Sequence, residues 1–437
     1  MKSEVSLSLI IQPAMHCIST EDISREDKEF LYMKQKNRWF HAAIGVFVLL
    51  FAGLIYAWSV LSRPIAAYFT DWTSAGLSLT FTICMMFFCL GGFVSGLLSE
   101  KINIKINLVI SAFLFLGGFY IASRMNSLPA LYLGYGVLAG TASGFAYNTV
   151  MGSVTKFFPD KPGLISGILL MGFGIGSFVI GKVYQAYTGS GEAFRTSLWT
   201  MGVIVFVVLL IGAVFIRKPS QEEMKAFAPR SEGNNQEGSE VSFGDMNPGQ
   251  MVKRPSFWLY FIWSVLLSAA GLAVIAQAGG MVEEVSPTAS AGVVSTAVGL
   301  ISVFNGVGRV LFGGTYDKAG RVRTMIINEI LYFTAVALMI LSIVTGNFAV
   351  LVIGFIITGL AYGGVPTTNS AFVGDFYGKR NYGVNFPIMN MNLFVASFGS
   401  TIAGLLYDKS GSYLSTLIVL VCALAVGTVI AERIKKP

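Results

Sequence analysis

The most informative stretch of this sequence is residues 313–323, which read GGTYDKAGRVR. It stands between two apolar runs and contains a glycine, an acid four residues later, and then three basic side chains. A weaker copy, GLLSEK at residues 96–101, stands between two earlier apolar runs. The copies are roughly 220 residues apart, which indicates a chain built from two duplicated halves.

The composition argues against a soluble protein. Hydrophobic residues make up 54% of the 437 residues and charged residues only 12%, whereas soluble domains carry about 25% charged residues. So few charges cannot cover a surface in water, but lipid can cover apolar helices of about 20 residues. The lipid bilayer is therefore an expected partner. Nucleic acid is not expected, despite a net charge of +7, because the basic residues gather at the ends of the apolar runs.

Apolar runs bounded by glycine, proline or charge predict twelve transmembrane helices. They are expected near residues 39–62, 74–98, 106–124, 130–155, 163–187 and 197–216, and then near 256–283, 289–313, 325–345, 348–373, 384–407 and 413–431. The predicted fold is all-α, a polytopic membrane protein with two pseudo-symmetric six-helix bundles.

The spacing of these runs predicts the domain organisation. The predicted parts are an N-terminal tail (1–38), an N-terminal six-helix bundle (39–216), a linker (217–254), a C-terminal six-helix bundle (255–432) and a C-terminal tail (433–437). Most Lys and Arg residues fall in the tails, the linker and the loops on the same side of the bundles. Such residues concentrate on the cytoplasmic side. We therefore expect a multi-pass protein of the inner (plasma) membrane with both termini and the linker in the cytoplasm.

Residues 313–323 match the signature G-x-x-x-D-x-x-G-R-x-[K/R], so the sequence resembles the major facilitator superfamily. Within that superfamily it is similar to the oxalate:formate antiporter family and its monocarboxylate transporter relatives, over residues 38–432. The segments that carry this similarity are YAWS (56–59), GTASGFAY (140–147), KFFPDKPG (156–163), FNGVGR (304–309), YGG (362–364) and GDFYG (374–378). The resemblance implies a carrier of small organic anions. We expect no enzyme activity, cofactor or metal, since no catalytic or metal-binding pattern is visible.

The resemblance also implies a gating role for the signature. The gating residues are expected to be Gly313, Asp317, Gly320, Arg321 and Arg323 in the complete copy, and Gly96 and Glu100 in the weaker copy. An acid at a helix end can accept hydrogen bonds from the N-terminal amides of a neighbouring helix. Because Ile104 replaces the expected arginine, the first gate is predicted to be weaker.

Arg309 is the principal candidate for substrate binding. It stands eight residues before Asp317, about 12 Å inside the helix end at 1.5 Å per residue. A charge at this depth costs at least about 2.5 kcal/mol and marks a functional site by default. Its guanidinium can bind both oxygens of a carboxylate, and the resemblance assigns it that role. The alternatives are that it reaches the membrane surface or pairs with a gate carboxylate.

Asn305 lies one turn before Arg309 and can bind the substrate or orient the guanidinium. In proton-coupled relatives an aspartate stands at this position and takes up a proton, which asparagine cannot do. Phenols at comparable depth, Tyr56, Tyr147 and Tyr362, can donate to an anion, although core packing is the alternative for each.

Three amide side chains are further candidates on polarity alone. Asn390 and its neighbour Asn392 can bind a substrate hydroxyl or keto group, or can bond only across helices. Gln277 is a weaker candidate of the same kind. Lys182, near the outer end of the fifth helix, is expected to reach the membrane surface.

The number of fixed cations bears on the substrate. Oxalate carriers are expected to place a lysine where this sequence has Val384. One buried cation matches one substrate charge, so a monocarboxylate such as formate, lactate or pyruvate is favoured. Exchange of oxalate or another dicarboxylate for formate is the first alternative, and a carboxylate sensor without net transport is the second. A proton or a counter-transported anion would drive transport by alternating access.

Overall fold

The computed structural model describes residues 25–98, 102–158, 162–187, 191–220, 222–223, 245–378 and 381–435. These residues are helical or lie in turns and loops, and none of them forms a β-strand. Glu100, part of the N-terminal tail and most of the linker lie outside the described residues. The chain divides into two units, 1–40 and 41–437, and the contacts discussed below lie within the second.

Twelve membrane-crossing segments are present. They are α1 (Arg38–Tyr68), α2 (Ser74–Leu98), α3 (Ile104–Ser123), α4 (128–154), α5 (Pro162–Tyr187), α6 (Ala193–Phe215), α7 (Pro255–Val285), α8 (291–319), α9 (321–345), α10 (Phe348–Tyr377), α11 (Val384–Ser410) and α12 (Leu414–Arg433). The predicted all-α fold with twelve crossings is confirmed.

Only ten helices in the described part of the chain are individually long and apolar enough to cross a membrane. One of them, Ala291–Thr345, has 55 residues, about 80 Å at 1.5 Å per residue, so it supplies both α8 and α9. The other crossing is α4, which is divided into Leu128–Leu131, a π-helical segment Tyr132–Ala139 and Gly140–Val154. Shorter interruptions occur in α1 at Gly53–Ala57 and in α11 at Met391 and Ser397.

Gly320 divides α8 from α9. Its φ of 74° and ψ of 175° lie outside the helical region, and a positive φ of this kind favours glycine. The predicted loop over residues 314–324 is therefore wrong, because helix continues to residue 319 and resumes at residue 321.

The two bundles are joined at one end, where the first loop (69–73) lies. We call it the outer end, because the distribution of Lys and Arg predicts that it faces away from the cytoplasm. The Asp408 carboxylate at the end of α11 accepts hydrogen bonds from the backbone N–H groups of Ser74 (3.2 Å) and Ala75 (3.0 Å). It thereby caps the N-terminus of α2 in the opposite bundle, where an anion is favoured. Beside it, Arg63 Nε donates to Glu283 at 2.8 Å.

Polar side chains continue this outer seal toward the membrane interior. Gln277 Nε2 donates to Ser78 Oγ (2.6 Å) and Ser400 O (3.3 Å), and Gln277 Oε1 accepts from the Tyr413 hydroxyl (3.1 Å). These bonds link α7 to α2, α11 and α12. Gln277 therefore joins the bundles here, and its role as a substrate ligand stays a prediction.

Lys182 links the bundles on the other side of the outer seal. Its Nζ donates to Gly292 O (3.1 Å) and to the Thr296 hydroxyl in the first turns of α8. The ammonium group of Lys182 thus binds oxygen acceptors of α8, and its reach to the membrane surface stays a prediction.

Residues 404–411, GLLYDKSG, repeat the pattern of residues 313–320, GGTYDKAG. Asp408 of the first makes the helix-end contact expected of a gating acid. Asp317 of the second is exposed and accepts no hydrogen bond from any residue that the structure describes. The gating role of Asp317 therefore stays a prediction.

The last part of the predicted linker packs on the C-terminal bundle. Met251 is fully buried, the Met246 N–H donates to Tyr377 O (3.0 Å), and Met246 O accepts from Asn385 Nδ2 (2.9 Å). At the start of the linker, Arg217 donates to both oxygens of Glu223 at 2.7 Å and lowers the pKa of Glu223 to about 2.

The Asp408→Asn substitution is expected to weaken the outer seal. A carboxylate at a helix N-terminus contributes roughly 1 kcal/mol, which corresponds to a change of about five-fold in an equilibrium ratio. The distance between spin labels at the exposed outer positions Thr70 and Thr288 would report the fraction of molecules in which the outer ends of the two bundles are separated. The matched control, Asp317→Asn, should not raise the population with separated ends; an equal rise in both variants would contradict the assignment.

Candidate substrate site

Arg309 lies on α8, at a point where both α5 and α10 pack closely against it. A methyl group added at Gly363 of α10 would lie 2.1 Å from Asn305 O, and one added at Gly306 would lie 2.9 Å from Met171 Cγ of α5. Because α5 packs this tightly, the carbonyl oxygen of Leu170 accepts a hydrogen bond from Arg309 Nη1 at 3.2 Å. Residues of both bundles thus meet at this guanidinium.

The guanidinium has only neutral hydrogen-bond partners. Arg309 Nε donates to Asn305 Oδ1 at 3.2 Å, as the spacing of the two residues predicts. Among the described residues, no carboxylate lies within 4.0 Å of Arg309, and Nη2 has no hydrogen-bond partner. Only 3% of the residue is exposed. In this structure Arg309 therefore neither reaches the membrane surface nor pairs with a gate carboxylate of the described residues.

Two of the predicted tyrosines meet directly beside Arg309. The hydroxyl groups of Tyr56 on α1 and Tyr362 on α10 are 3.2 Å apart, and both residues are buried. Arg309 interacts electrostatically with both phenols. The cation, Asn305 and two phenols from opposite bundles thus form a small polar cluster inside the protein.

Aromatic rings enclose this polar cluster on the N-terminal side. The Tyr147 ring lies 5.3 Å from the Phe88 ring and 5.2 Å from the Phe173 ring, and Phe173 lies 5.6 Å from Tyr56. Rings at these distances exclude water and strengthen electrostatic interactions. We call these four side chains and Tyr362 the aromatic box.

The structure gives the two asparagines of α11 different surroundings. Asn392 is fully buried, donates to Ser264 Oγ (2.8 Å) and Ser268 Oγ (2.9 Å), and accepts from Asn369 Nδ2 (3.4 Å). Asn392 therefore joins α11 to α7 and α10 within the C-terminal bundle. The side-chain amide of Asn390 is partly exposed and has no partner among the described residues. Of the pair, only Asn390 has hydrogen-bonding capacity left for a ligand.

The predicted gating residues lie away from the aromatic box. Asp317 and Arg323 are exposed, whereas Arg321 Nη2 donates to Ile434 O at 2.9 Å and its guanidinium lies over the Phe376 ring. Gly96 faces the Asn148 side chain of α4. The structure leaves the gating role of these residues as a prediction.

Several contributors to the site were not predicted from the sequence. The Leu170 acceptor is a backbone atom, which no side-chain pattern reveals. Phe88 and Phe173 are two of 34 phenylalanines, so composition gave no reason to select them. Glu329, a buried acid of α9 outside the aromatic box, was also not among the predicted residues, although it stands as a carboxylate within an apolar run.

A cavity of about 580 Å³ lies elsewhere, at the outer ends of α3 and α6. Tyr120, Arg124, Glu192, Arg195 and Trp199 line it. Aromatic and charged side chains are typical of the level where a membrane meets water, and none of these residues belongs to the aromatic box.

The two asparagines of α11 should respond differently to truncation. Asn392→Ala leaves buried hydroxyl and amide groups without partners, which costs about 1–3 kcal/mol, so the melting temperature of the detergent-solubilised protein should fall by several degrees. Asn390→Ala, the matched control, should melt like the wild type. Equal melting temperatures for all three proteins would contradict the structural role of Asn392.

Known proteins are similar to this chain over most of its length. The model of the Major Facilitator Superfamily matches residues 42–400 and 289–434. The oxalate:formate antiporter of Oxalobacter formigenes is 27% identical over 410 residues, covering 92% of this chain and 93% of that protein. Monocarboxylate transporter 10 of Mus musculus is 22% identical over 378 residues, covering 84% of this chain and 70% of that protein. These relatives confirm the resemblance seen in the sequence.

A solved structure shows the same fold. It is a bacterial homologue of the human lysosomal transporter Spinster, in an inward-facing and unoccupied conformation, with a TM-score of 0.66 and 13% identity. The match covers 91% of this chain and 97% of that protein. The described residues include ten helices long and apolar enough to cross a membrane, and the family match extends across both bundles and includes the signature at residues 313–323. The chain therefore belongs to the Major Facilitator Superfamily and is one of its multi-pass membrane transporters.

Proposed function

We propose that this transporter moves small monocarboxylates, of the formate, lactate and pyruvate class, across the inner membrane by alternating access. The observation that carries the proposal is the burial of Arg309, which is 3% exposed and whose guanidinium has two neutral acceptors and no carboxylate partner among the described residues. A charge buried in this way is costly unless an anion joins it. A carboxylate is the anion that matches the paired donors of a guanidinium.

The surrounding groups suit a small carboxylate. Arg309 Nη2 is free of protein partners among the described residues, and the phenols of Tyr56 and Tyr362 can donate to the anion once their mutual 3.2 Å contact is broken. Because that contact joins α1 to α10, bound substrate would stand between the bundles. The aromatic box leaves an apolar wall for a methyl group or a hydrogen atom.

The relatives support this class of substrate. One is named an oxalate:formate antiporter and another a monocarboxylate transporter, and both names specify small carboxylates. The observation that favours a monocarboxylate over oxalate is Val384, an exposed apolar residue at the start of α11, where a second cation is expected in oxalate carriers. Exchange of oxalate or another dicarboxylate for formate remains the second candidate, supported by the antiporter's similarity over 92% of this chain.

Alternating access would use the Asp408 contact at the outer end and a corresponding contact of Asp317 at the opposite end, one in each state. Asp408 closes the outer end in this structure, and Asp317 would close the opposite end after the bundles rock about the site at Arg309. We place that opposite end, with both termini, in the cytoplasm. Asn390 would contact the part of the substrate farthest from the carboxylate.

Uptake of radiolabelled formate, lactate, pyruvate and oxalate into proteoliposomes tests the proposal. Arg309→Ala should reduce uptake of the preferred carboxylate by at least about 100-fold, because losing one partner of a buried charge-assisted pair costs roughly 3 kcal/mol or more. Arg309→Lys keeps the charge but loses the planar pair of donors, so partial activity is expected. Arg124→Ala, which removes an exposed arginine, is the control and should transport normally. Wild-type rates in Arg309→Ala would remove the site assignment.

The substrate preference depends on the number of cations. Val384→Lys supplies a second cation at the start of α11, so uptake of oxalate relative to pyruvate should rise about ten-fold or more, for a gain of roughly 1.4 kcal/mol in charge pairing. Val384→Gln, which is polar but uncharged, is the matched control and should leave the ratio near that of the wild type. An unchanged ratio in a well-folded lysine variant would contradict the charge-matching account.

A further inference from the structure

Glu329 is a buried carboxylate that the proposed substrate site does not use. It lies on α9, about 13 Å along the helix from Gly320 at 1.5 Å per residue, and is 4% exposed. Its Oε1 accepts a hydrogen bond from the indole Nε1 of Trp263 on α7 at 2.7 Å. An ionisable side chain inside a membrane is costly and marks a functional site by default.

The groups that face Glu329 do not balance its charge. From α7 the facing group is the neutral Trp263, and from α12 they are the Thr428 hydroxyl and the Glu432 carboxylate. Among the described residues, no Lys or Arg nitrogen lies within 4.0 Å of the Glu329 carboxylate. The ionised form is therefore stable only when a positive charge elsewhere in the protein interior offsets it.

Next to Glu329 on α9, polar side-chain atoms without a partner among the described residues face α10, which also packs against Arg309. Both polar side-chain atoms of the neighbouring Asn328 are buried without a hydrogen-bond partner in the described part of the chain. A methyl group added at Gly364 would lie 2.4 Å from Asn328 Nδ2, and one added at Gly363 would lie 3.0 Å from the backbone nitrogen of Arg309. Asn328 and Arg309 thus pack against consecutive residues of α10.

Tyr332, one turn after Glu329, extends this polar track to the aromatic box. Its buried hydroxyl also lacks a partner among the residues that the structure describes. The Tyr332 hydroxyl and the Tyr362 ring both lie against Gly271 of α7, at 2.9 Å and 2.3 Å from the position of an added methyl group. Buried polar atoms without protein partners commonly hold internal water, and water can carry a proton along this track.

We propose that Glu329 is a proton-binding site coupled to the carboxylate site at Arg309. In the empty carrier, ionised Glu329 offsets the positive charge of Arg309. When a carboxylate binds Arg309, Glu329 takes up one proton from the same side of the membrane, so the buried charge again sums to zero. The anion and the proton leave together on the other side, which makes one proton move with each monocarboxylate. This inference rests on the proposed function.

Proteoliposomes containing the internal pH dye pyranine provide the test. The probe is whichever of radiolabelled formate, lactate and pyruvate the wild type exchanges fastest. The wild type should accumulate this probe when the interior is alkaline, with proton entry reported by the dye. Glu329→Gln keeps an acceptor for Trp263 but cannot ionise. Accumulation driven by the pH gradient should therefore fall at least ten-fold. Exchange should persist at a reduced rate, because it needs no net proton movement. Glu432→Gln is the matched control and should remain coupled.

The outcomes separate the two proposals. A wild type that exchanges the probe but neither accumulates it nor admits protons under the pH gradient would overturn the proton site and leave the proposed function standing. Full pH-driven accumulation by Glu329→Gln would do the same. Absence of any exchange by the wild type would contradict the proposed function, and the proton site with it. If Glu329→Gln does not fold, Trp263→Phe provides the second test, because it removes the hydrogen bond to the Glu329 carboxylate. Removing the donor disfavours the ionised carboxylate, so the pH of half-maximal transport should move upward, and an unchanged pH profile would overturn the inference.

Discussion

The structure depends on a cation held among neutral acceptors inside the membrane. Arg309 is enclosed by α5, α8 and α10 and bonds only to an amide oxygen and a backbone carbonyl oxygen. Neither acceptor offsets a full charge at low dielectric. In the proposed function a bound carboxylate would supply the compensating charge, and the phenols of Tyr56 and Tyr362 would share its binding.

The same constraint connects binding to movement. Arg309 belongs to one bundle and its Leu170 acceptor to the other, just as Tyr56 and Tyr362 belong to opposite bundles. An anion at this point would exchange contacts between the bundles for contacts to itself. At the outer end, Asp408 uses its carboxylate to cap a helix of the opposite bundle. These two contacts, one central and one peripheral, are thus among the polar contacts that hold the bundles in their present arrangement.

Much of the fold follows from the sequence, because lipid permits few ways to satisfy backbone hydrogen bonds. The positions of the crossings and the Arg309 to Asn305 hydrogen bond could be read from hydropathy and helical spacing. The helix boundary near Gly320 could not, because a single residue with positive φ replaces the loop that the pattern predicts. The π-helical segment of α4 likewise has no signal in hydropathy.

The site was less predictable than the fold, for identifiable reasons. Polarity alone selects Gln277 and Asn392, but only coordinates show that protein partners already occupy their amide groups. The Leu170 acceptor is a backbone atom and depends on close packing between helices. Glu329 stands within an apolar run of the sequence, but its burial and its Trp263 partner depend on the packing of other helices, so only the coordinates show them.

The most direct test of the central claim is a structure of the protein with a bromine-labelled monocarboxylate, 3-bromopropionate, located by anomalous scattering. We expect the carboxylate within hydrogen-bond distance of the Arg309 guanidinium, with the Tyr56 and Tyr362 hydroxyls separated to contact it. A ligand bound away from Arg309, or an Arg309 paired with a protein carboxylate while the ligand is present, would contradict the account.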